Sequence, residues 1–225
     1  MLGETTEAVW DRYARGKRGV PERTVNAAGQ RTWFNWTQYP DHGPTETVLG
    51  SPASALELGC GTGRNAAHLA VHGVEVTAVD VSLVPLEKAE QRWGHLGGLR
   101  LVHREAVDFL RATDERFGAV YSVFGAVWFT DPEVLLPLVR RALRPGGVLA
   151  FSHEPPIEGC YGCQGGYVRG PGGDRPSVVR RWAYTPAMWV DILARYGFTR
   201  ITADIVAPPP ARSGDVPTLL VHARV

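Results

Sequence analysis

Short apolar runs alternate with segments of helical period along most of this sequence of 225 residues. Five runs have the length and residue types of buried strands: residues 55–58, 74–79, 99–103, 117–123 and 148–152. Between them the pattern predicts helices at residues 65–70, 85–93 and 132–143, and a short one that includes Phe109 and Leu110. Strands that alternate with helices in this way predict an α/β fold with a parallel sheet.

The two ends of the chain extend the same pattern. Residues 186–196 form an amphipathic helix that Gly197 ends, and two strands are expected at residues 201–206 and 219–223. Near the start, residues 5–14 carry an apolar stripe of Val9, Trp10 and Tyr13, which predicts a helix.

The stretch ALELGCGTGRNAAHLA at residues 55–70 holds the most informative turn. A buried strand breaks at Gly59, Gly61 and Gly63 and then becomes a helix. Glycines at this density let the backbone approach a ligand with no Cβ between them. The alternative is a tight turn without a ligand.

The spacing of this loop differs from two common phosphate-binding loops. A dinucleotide loop has glycine at its sixth position, where this chain has Arg64, and a P-loop ends in Lys followed by Ser or Thr. Glu57 before the turn would repel a pyrophosphate and suit a positively charged ligand. Asp80 follows the next strand, where a ribose diol is usually held. A nucleoside with a cationic tail fits both carboxylates.

Three motifs together resemble the class I S-adenosylmethionine-dependent methyltransferases: Glu57-Leu-Gly-Cys-Gly-Thr-Gly63, Val79-Asp80-Val81-Ser82 and Leu143-Arg-Pro-Gly-Gly147. The resemblance covers residues 50–155 well and the ends loosely. It implies a Rossmann-like doubly wound sheet of seven mostly parallel strands with a C-terminal antiparallel strand pair and helices on both faces. It also implies S-adenosyl-L-methionine as cofactor, and it identifies no acceptor.

The resemblance assigns cofactor contacts to the ends of four strands. The family commonly has Gly-Asp-Ala where this chain has Arg104-Glu105-Ala106, so Glu105 is expected to accept the hydrogen bond of the adenine amino group. Backbone carbonyls of Ser122 or Val123 are expected to meet the methionine ammonium group. The predicted cofactor-binding residues are Glu57, Gly59, Cys60, Gly61, Gly63, Asp80, Val81, Glu105, Ala106, Ser122 and Val123.

Residues 15–44 are rich in aromatic side chains that need a surface to cover, which predicts a lid over the pocket. Such rings can hold a sulfonium or a planar substrate, and packing on the domain core is the alternative. The segment from Trp10 to Ala14 is similar to the first helix of many small-molecule methyltransferases, which packs over the cofactor. The predicted substrate-binding residues are Trp33, Trp36, Tyr39, Phe124 and Trp128.

Residues 155–176 are rich in Gly and Pro, which predicts a flexible flap. Cys160 and Cys163 have the spacing of half a zinc site, but no second pair exists, so no metal is predicted. His153 stands at the root of the flap, where the end of a strand faces the pocket. Candidate general bases are His153, His42 and Asp41, with a structural role as the alternative for His153.

Composition bears on the partners and the location. Lys and Arg number 24 against 23 Asp and Glu, a net charge of +1, which argues against nucleic acid. No apolar stretch has the length of a membrane span, and three cysteines without an export signal predict the cytoplasm. One domain is expected, made of an N-terminal helix and lid (1–48), a cofactor core (49–154), a flap (155–185) and a C-terminal part (186–225).

These observations predict methyl transfer to the oxygen or nitrogen of a small molecule, such as a secondary metabolite. The methyl group would move by in-line displacement, and a hydroxyl acceptor would also need a base. Two alternatives stay open: a methyltransferase acting on nucleic acid or protein, and a member that binds the cofactor without methylating.

Overall fold

The computed structural model describes residues 4–16, 25–169 and 176–225. Within these ranges the helices are α1 (Thr6–Gly16), α2 (Arg64–Val71), α3 (Leu83–Trp93), α4 (Ala106–Ala112), α5 (Ala126–Phe129), α6 (Pro132–Ala142) and α7 (Pro186–Arg195). The strands are β1 (Ser54–Leu58), β2 (Glu75–Asp80), β3 (Leu99–His103), β4 (Phe117–Val123), β5 (Leu143–His153), β6 (Gly162–Val168), β7 (Ser177–Ala183), β8 (Thr199–Val206) and β9 (Thr218–Arg224). Short 3-10 helices cover Glu46–Leu49 and Pro210–Arg212.

The main sheet has seven strands in the order β3-β2-β1-β4-β5-β9-β8. Neighbouring strands among β1 to β5 are parallel, whereas β9 is antiparallel to both β5 and β8. The strand order reverses between β1 and β4, which is where open α/β sheets bind their ligands. The predicted fold class is confirmed, including its C-terminal antiparallel pair. Among the described helices, none has the length and apolar character that a membrane span requires.

Strand β1 divides the interior into two cores because its side chains alternate between the faces of the sheet. Leu56 and Leu58 pack in the core that α4, α6 and α7 cover. Ala55 packs in the core that α2 covers on the opposite face. Glu57 shares the parity of Ala55 and therefore points to the α2 side.

The aromatic segment before β1 packs into this second core instead of forming a lid over a pocket. Trp36 is 0 % exposed, and its Nε1 donates a hydrogen bond to the Thr45 carbonyl at 2.9 Å. The Ser152 hydroxyl donates to the Trp36 carbonyl at 2.6 Å, which joins the segment to β5. Since α2 has only eight residues, it leaves sheet surface that these rings cover. For the rings at residues 33–39 the alternative of core packing replaces the lid expectation, and residues 17–24 of the predicted lid lie outside the described part.

The segment predicted as a flexible flap contains a β-hairpin. Strands β6 and β7 pair antiparallel from Gly162 opposite Ala183 to Val168 opposite Ser177. Strand β6 contains three glycines, a composition that is typical of a loop. Strand β7 carries the β-branched and aromatic residues that strands favour. Residues 170–175 of the predicted flap lie outside the described residues.

Two element boundaries differ from the sequence expectation around the Pro-Gly-Gly turn. Helix α6 ends at Ala142, and strand β5 begins at Leu143. The register of β5 on β4 shifts between Leu143 and Val148, so Gly146 and Gly147 lie in a bulge inside the strand. The predicted strand at 148–152 is the regular part of β5.

Trp36→Ala should lower the free energy of unfolding by about 3 to 5 kcal/mol, because it opens a large cavity in the second core. Urea denaturation measures this, with Tyr167→Ala as the control because Tyr167 is 74 % exposed. Equal stabilities of the two variants would contradict the position of Trp36 in the core.

Candidate active site

A cavity of about 1070 Å³ lies at the carboxyl ends of β1, β2, β3 and β4. Its walls include residues 59–62 after β1, 80–82 after β2, 104–106 after β3 and 123–126 after β4. Helix α1 and strand β7 also border it, and we call these two elements the roof. The cavity therefore occupies the point where the strand order reverses, as expected for a ligand site in this sheet.

Two glycines of the loop after β1, Gly59 and Gly61, are required for different structural reasons. A Cβ on Gly59 would stand 2.5 Å from the Ala126 nitrogen, so only glycine lets the loops after β1 and β4 meet. Gly61 has φ +55°, and a Cβ there would meet no atom within 4 Å. Gly61 therefore places bare backbone beside open space, which suits close approach of a ligand.

The Asp80 carboxylate ties this loop to the end of β2. The Gly61 N–H donates to its Oδ2 at 2.7 Å, and the Ser82 N–H donates to its Oδ1 at 2.8 Å. Burial raises the pKa of Asp80, and these two hydrogen bonds act in the opposite direction. Each carboxylate oxygen has a second lone pair, so Asp80 retains the capacity to accept hydrogen bonds from two hydroxyl groups of a ligand.

Glu57 lies behind the cavity wall. It is 2 % exposed and accepts a hydrogen bond from the Tyr121 hydroxyl at 3.2 Å and another from the Ala66 N–H. Burial raises the pKa of Glu57 to about 8, so the carboxyl group is mostly neutral at pH 7. This group joins β1, β4 and α2 from behind the cavity wall.

The side chains of Glu105 and Ser122 form hydrogen bonds with nearby backbone groups. The Glu105 Oε2 caps α4 by accepting the N–H groups of Val107 and Asp108 at 2.8 and 3.1 Å, and the residue borders the cavity. The buried Ser122 hydroxyl donates to the Leu58 carbonyl at 2.7 Å and lies away from the cavity.

The structure brings most of the predicted cofactor residues to one cavity. Those that border it are Gly59, Cys60, Gly61, Asp80, Val81, Glu105, Ala106 and Val123. Glu57, Gly63 and Ser122 stand behind its wall.

Most of the predicted substrate residues lie elsewhere. Phe124 borders the cavity with φ +49°. Trp33 lies in the core beneath the Arg64 guanidinium, 4.2 Å from the ring centroid, and the Tyr39 hydroxyl donates to the Val216 carbonyl at 2.6 Å. Trp36 and Trp128 are buried and do not border the cavity.

None of the predicted bases borders the cavity. His153 is 0 % exposed, and its ring stacks on Trp128 with 5.5 Å between centroids. Its Nδ1 donates to the Glu154 carbonyl at 2.6 Å, and burial lowers the pKa of His153 to about 4. His42 Nε2 lies 2.7 Å from the Ala207 carbonyl, and Asp41 Oδ2 accepts the Ala27 N–H at 3.1 Å.

The roof supplies residues that the sequence analysis did not assign to the acceptor. Trp10 and Tyr13 come from α1, and Arg180 and Trp182 come from β7. Two contacts fix these elements. The Asp11 Oδ1 accepts the Ser82 hydroxyl at 2.6 Å, and the Glu4 Oε2 accepts the Ser177 hydroxyl at 2.7 Å.

Asp131 also borders the cavity, and its side chain caps the N-terminus of α6. The alternation of side chains along β7 was the signal that could have identified Arg180 and Trp182, had the strand been recognised.

Comparison with known proteins finds similarity to methyltransferases. Residues 56–151 match the family model described as a methyltransferase domain. The malonyl-[acyl-carrier protein] O-methyltransferase of Pseudescherichia vulneris is 35 % identical over 103 residues, which are 45 % of this chain and 39 % of that protein. O-methyltransferase resE of Aspergillus sclerotiorum is 34 % identical over 101 residues, 43 % of this chain and 38 % of that protein. The chain thus spans about two fifths of the length of the curated relatives it matches.

A solved structure matches a larger part of the chain. The 1,6-didemethyltoxoflavin-N1-methyltransferase of Burkholderia thailandensis was crystallised with 1,6-didemethyltoxoflavin and S-adenosylhomocysteine. It superposes with a TM-score of 0.59 at 22 % identity and covers 80 % of this chain and 73 % of its own. This likeness supports the same sheet and helix arrangement.

His153 should make the protein less stable in acid. Its folded pKa of about 4 lies below the ordinary value of 6.5, so the unfolded state binds an extra proton between these values. Stability is therefore lost as the pH falls through this window. Between pH 7 and pH 5, His153→Phe should lose about 2 kcal/mol less unfolding free energy than the wild type.

The measurement is urea denaturation at the two pH values. His95→Asn is the control, because it removes an exposed histidine. The same pH dependence in His153→Phe as in the wild type would contradict a buried neutral imidazole.

Proposed function

On the premise that residues 56–151 form a methyltransferase domain of the class I, S-adenosylmethionine-dependent family, we propose that this chain methylates a small molecule. The observation that carries the proposal is the Asp80 carboxylate beside the open side of Gly61, in a cavity large enough for the cofactor and an acceptor together. The relatives include enzymes named for O- and N-methylation, and we propose oxygen or nitrogen as the acceptor atom.

The residues present fit S-adenosyl-L-methionine. Asp80 has acceptor capacity for the two ribose hydroxyls, and Gly61 offers backbone without a side chain in the way. Val81 and Ala106 provide apolar wall for the adenine. When bound, the cofactor supplies a methyl group on a positively charged sulfur, which is already a good electrophile.

The chain then has to align the acceptor and keep water out. The roof serves both purposes in our proposal. Trp10 of α1 lies edge-on to Phe129 of α5, with 4.6 Å between ring centroids, and Trp182 of β7 borders the same cavity. These rings give the acceptor an apolar enclosure.

We assign the handling of the acceptor proton to Asp131. It borders the cavity, and its Oδ1 is held by the Glu133 N–H at 2.9 Å. Glu4 also borders the cavity, but its carboxylate is paired with Arg12 at 2.9 Å and accepts the Ser177 hydroxyl. Asp131 therefore replaces His153, His42 and Asp41 as the proposed proton acceptor or amine-orienting group.

The first experiment incubates the protein with methyl-labelled S-adenosylmethionine and a panel of small molecules, with RNA and a protein mixture as separate arms. Label in a small molecule is expected. Label only in RNA or protein would contradict the proposal, and so would failure to bind the cofactor. A cytosolic location stays a prediction from the cysteine usage.

Asp80→Ala should weaken binding of S-adenosylhomocysteine by about 1.5 to 3 kcal/mol, because it removes a charged acceptor from two hydroxyls. Isothermal titration calorimetry measures the affinity, and Asp108→Ala is the control because it removes an exposed carboxylate from α4. Unchanged affinity in Asp80→Ala would show that the ribose is held elsewhere.

Asp131→Asn should lower turnover of the accepted small molecule by about 100-fold, the usual scale for loss of a general base. The affinity for S-adenosylhomocysteine should stay unchanged. Glu133→Gln, an exposed carboxylate in the first turn of the same helix, is the matched control for steady-state kinetics. Turnover within a few-fold of the wild type in Asp131→Asn would remove Asp131 from the proposed mechanism.

A further inference from the structure

The cavity wall carries both acidic and basic side chains. The acidic and the basic side chains differ in the interactions that they form with the rest of the chain. The acids Glu4, Asp80, Glu105 and Asp131 all accept hydrogen bonds from described donors. The cations are Lys88, Arg104 and Arg180. Within the described part of the chain, no carboxylate forms an ion pair with any of these three cations.

Two of these cations lie on the cofactor side. The Arg104 N–H donates to the Asp80 carbonyl at 3.0 Å, and Lys88 belongs to α3, which begins just after Ser82. Arg180 lies on β7, in the roof, which packs against α5. It therefore faces the part of the cavity that we assign to the acceptor.

Two consecutive arginines of β7 lie on opposite faces of the hairpin, because side chains alternate along a strand. The Arg181 guanidinium pairs with Glu154 at 3.6 Å and lies 5.4 Å from the centroid of the Trp128 ring. Arg180 points to the other face with Val178 and Trp182, and these three residues border the cavity together with Val179. Arg181 is thus part of the packing, whereas Arg180 is available to a ligand.

The hairpin leaves space around Arg180. Its cross-strand partner is Gly165, which has no side chain to pair with or cover the guanidinium. Trp182 follows on the same face of β7 and borders the cavity, and the residue is 9 % exposed. A ligand at this position can therefore contact the Arg180 guanidinium and the apolar Trp182 ring at the same time.

We propose that the acceptor is an organic acid, whose carboxylate or phosphate binds the Arg180 guanidinium while its apolar body packs on Trp182. A guanidinium presents parallel N–H donors that match the two oxygens of such an anion. This inference rests on the proposed methyl transfer, and it names the class of acceptor for the same site.

The test uses pairs of acceptors in which one member carries an anionic group and the other carries a neutral group in its place. 4-Hydroxybenzoate is paired with 4-hydroxybenzamide, 4-aminobenzoate with 4-aminobenzamide, and 4-hydroxyphenyl phosphate with hydroquinone. Binding is measured by thermal shift with S-adenosylhomocysteine at saturation, and transfer is measured with methyl-labelled S-adenosylmethionine. The benzoate and phosphate arms distinguish a carboxylate from a phosphate as the bound group.

We expect at least one acid to bind or react about tenfold or more better than its neutral partner. Arg180→Gln should remove this preference, and Arg180→Lys should retain part of it because the charge remains. Arg169→Gln removes a positive charge from the same hairpin away from the cavity and should behave as the wild type. Melting temperatures verify that the exposed substitutions leave the fold intact.

Two results would overturn the inference while the proposed function stands: neutral acceptors preferred over every acid, or a preference for acids that Arg180→Gln leaves unchanged. Failure to bind S-adenosylhomocysteine in calorimetry would overturn the proposed function, and this inference with it. The two failures are therefore distinguishable.

Discussion

The carboxylate of Asp80 joins the two segments on which the cavity is built. Its oxygens accept the backbone N–H groups of Gly61 and Ser82, so one side chain fixes both the glycine loop and the entry to α3. Ser82 in turn donates to Asp11, which holds α1 over the cavity. A single carboxylate at the end of β2 thus links the sheet, the glycine loop and the roof. The same oxygens are the ones that we assign to the ribose.

The cavity is assembled from parts with different degrees of likeness to known proteins. The glycine loop, Asp80 and the end of β4 lie within residues 56–151, the part that matches the methyltransferase domain. The roof residues Trp10, Arg180 and Trp182 come from before and after this range. In our account the shared part holds the cofactor, and the less similar roof selects the acceptor. This division explains why the matching motifs identify a domain and no substrate.

The positions of the glycine loop after β1 and of Asp80 at the end of β2 were predictable from the sequence, because both follow from local spacing. The sequence left open whether the aromatic segment covers the pocket or the core, because composition shows that Trp36 must be buried but not against which surface. It placed His153 at a strand end, which is correct, but alternation sends its side chain to the face of Phe151 and Trp189. Strand β6 escaped detection because glycine has low strand propensity, and its pairing with β7 stabilises it instead.

The central claim is that the cavity beside Asp80 binds S-adenosylmethionine or its product. The most direct measurement is a titration of the isotope-labelled protein with S-adenosylhomocysteine, followed by amide NMR. We expect saturable shifts at the amides of Gly61 and Ser82, whose hydrogens bind the Asp80 carboxylate, with little change at Gly165 in the hairpin. Binding that leaves the Gly61 and Ser82 amides unchanged, or no binding at all, would contradict this claim.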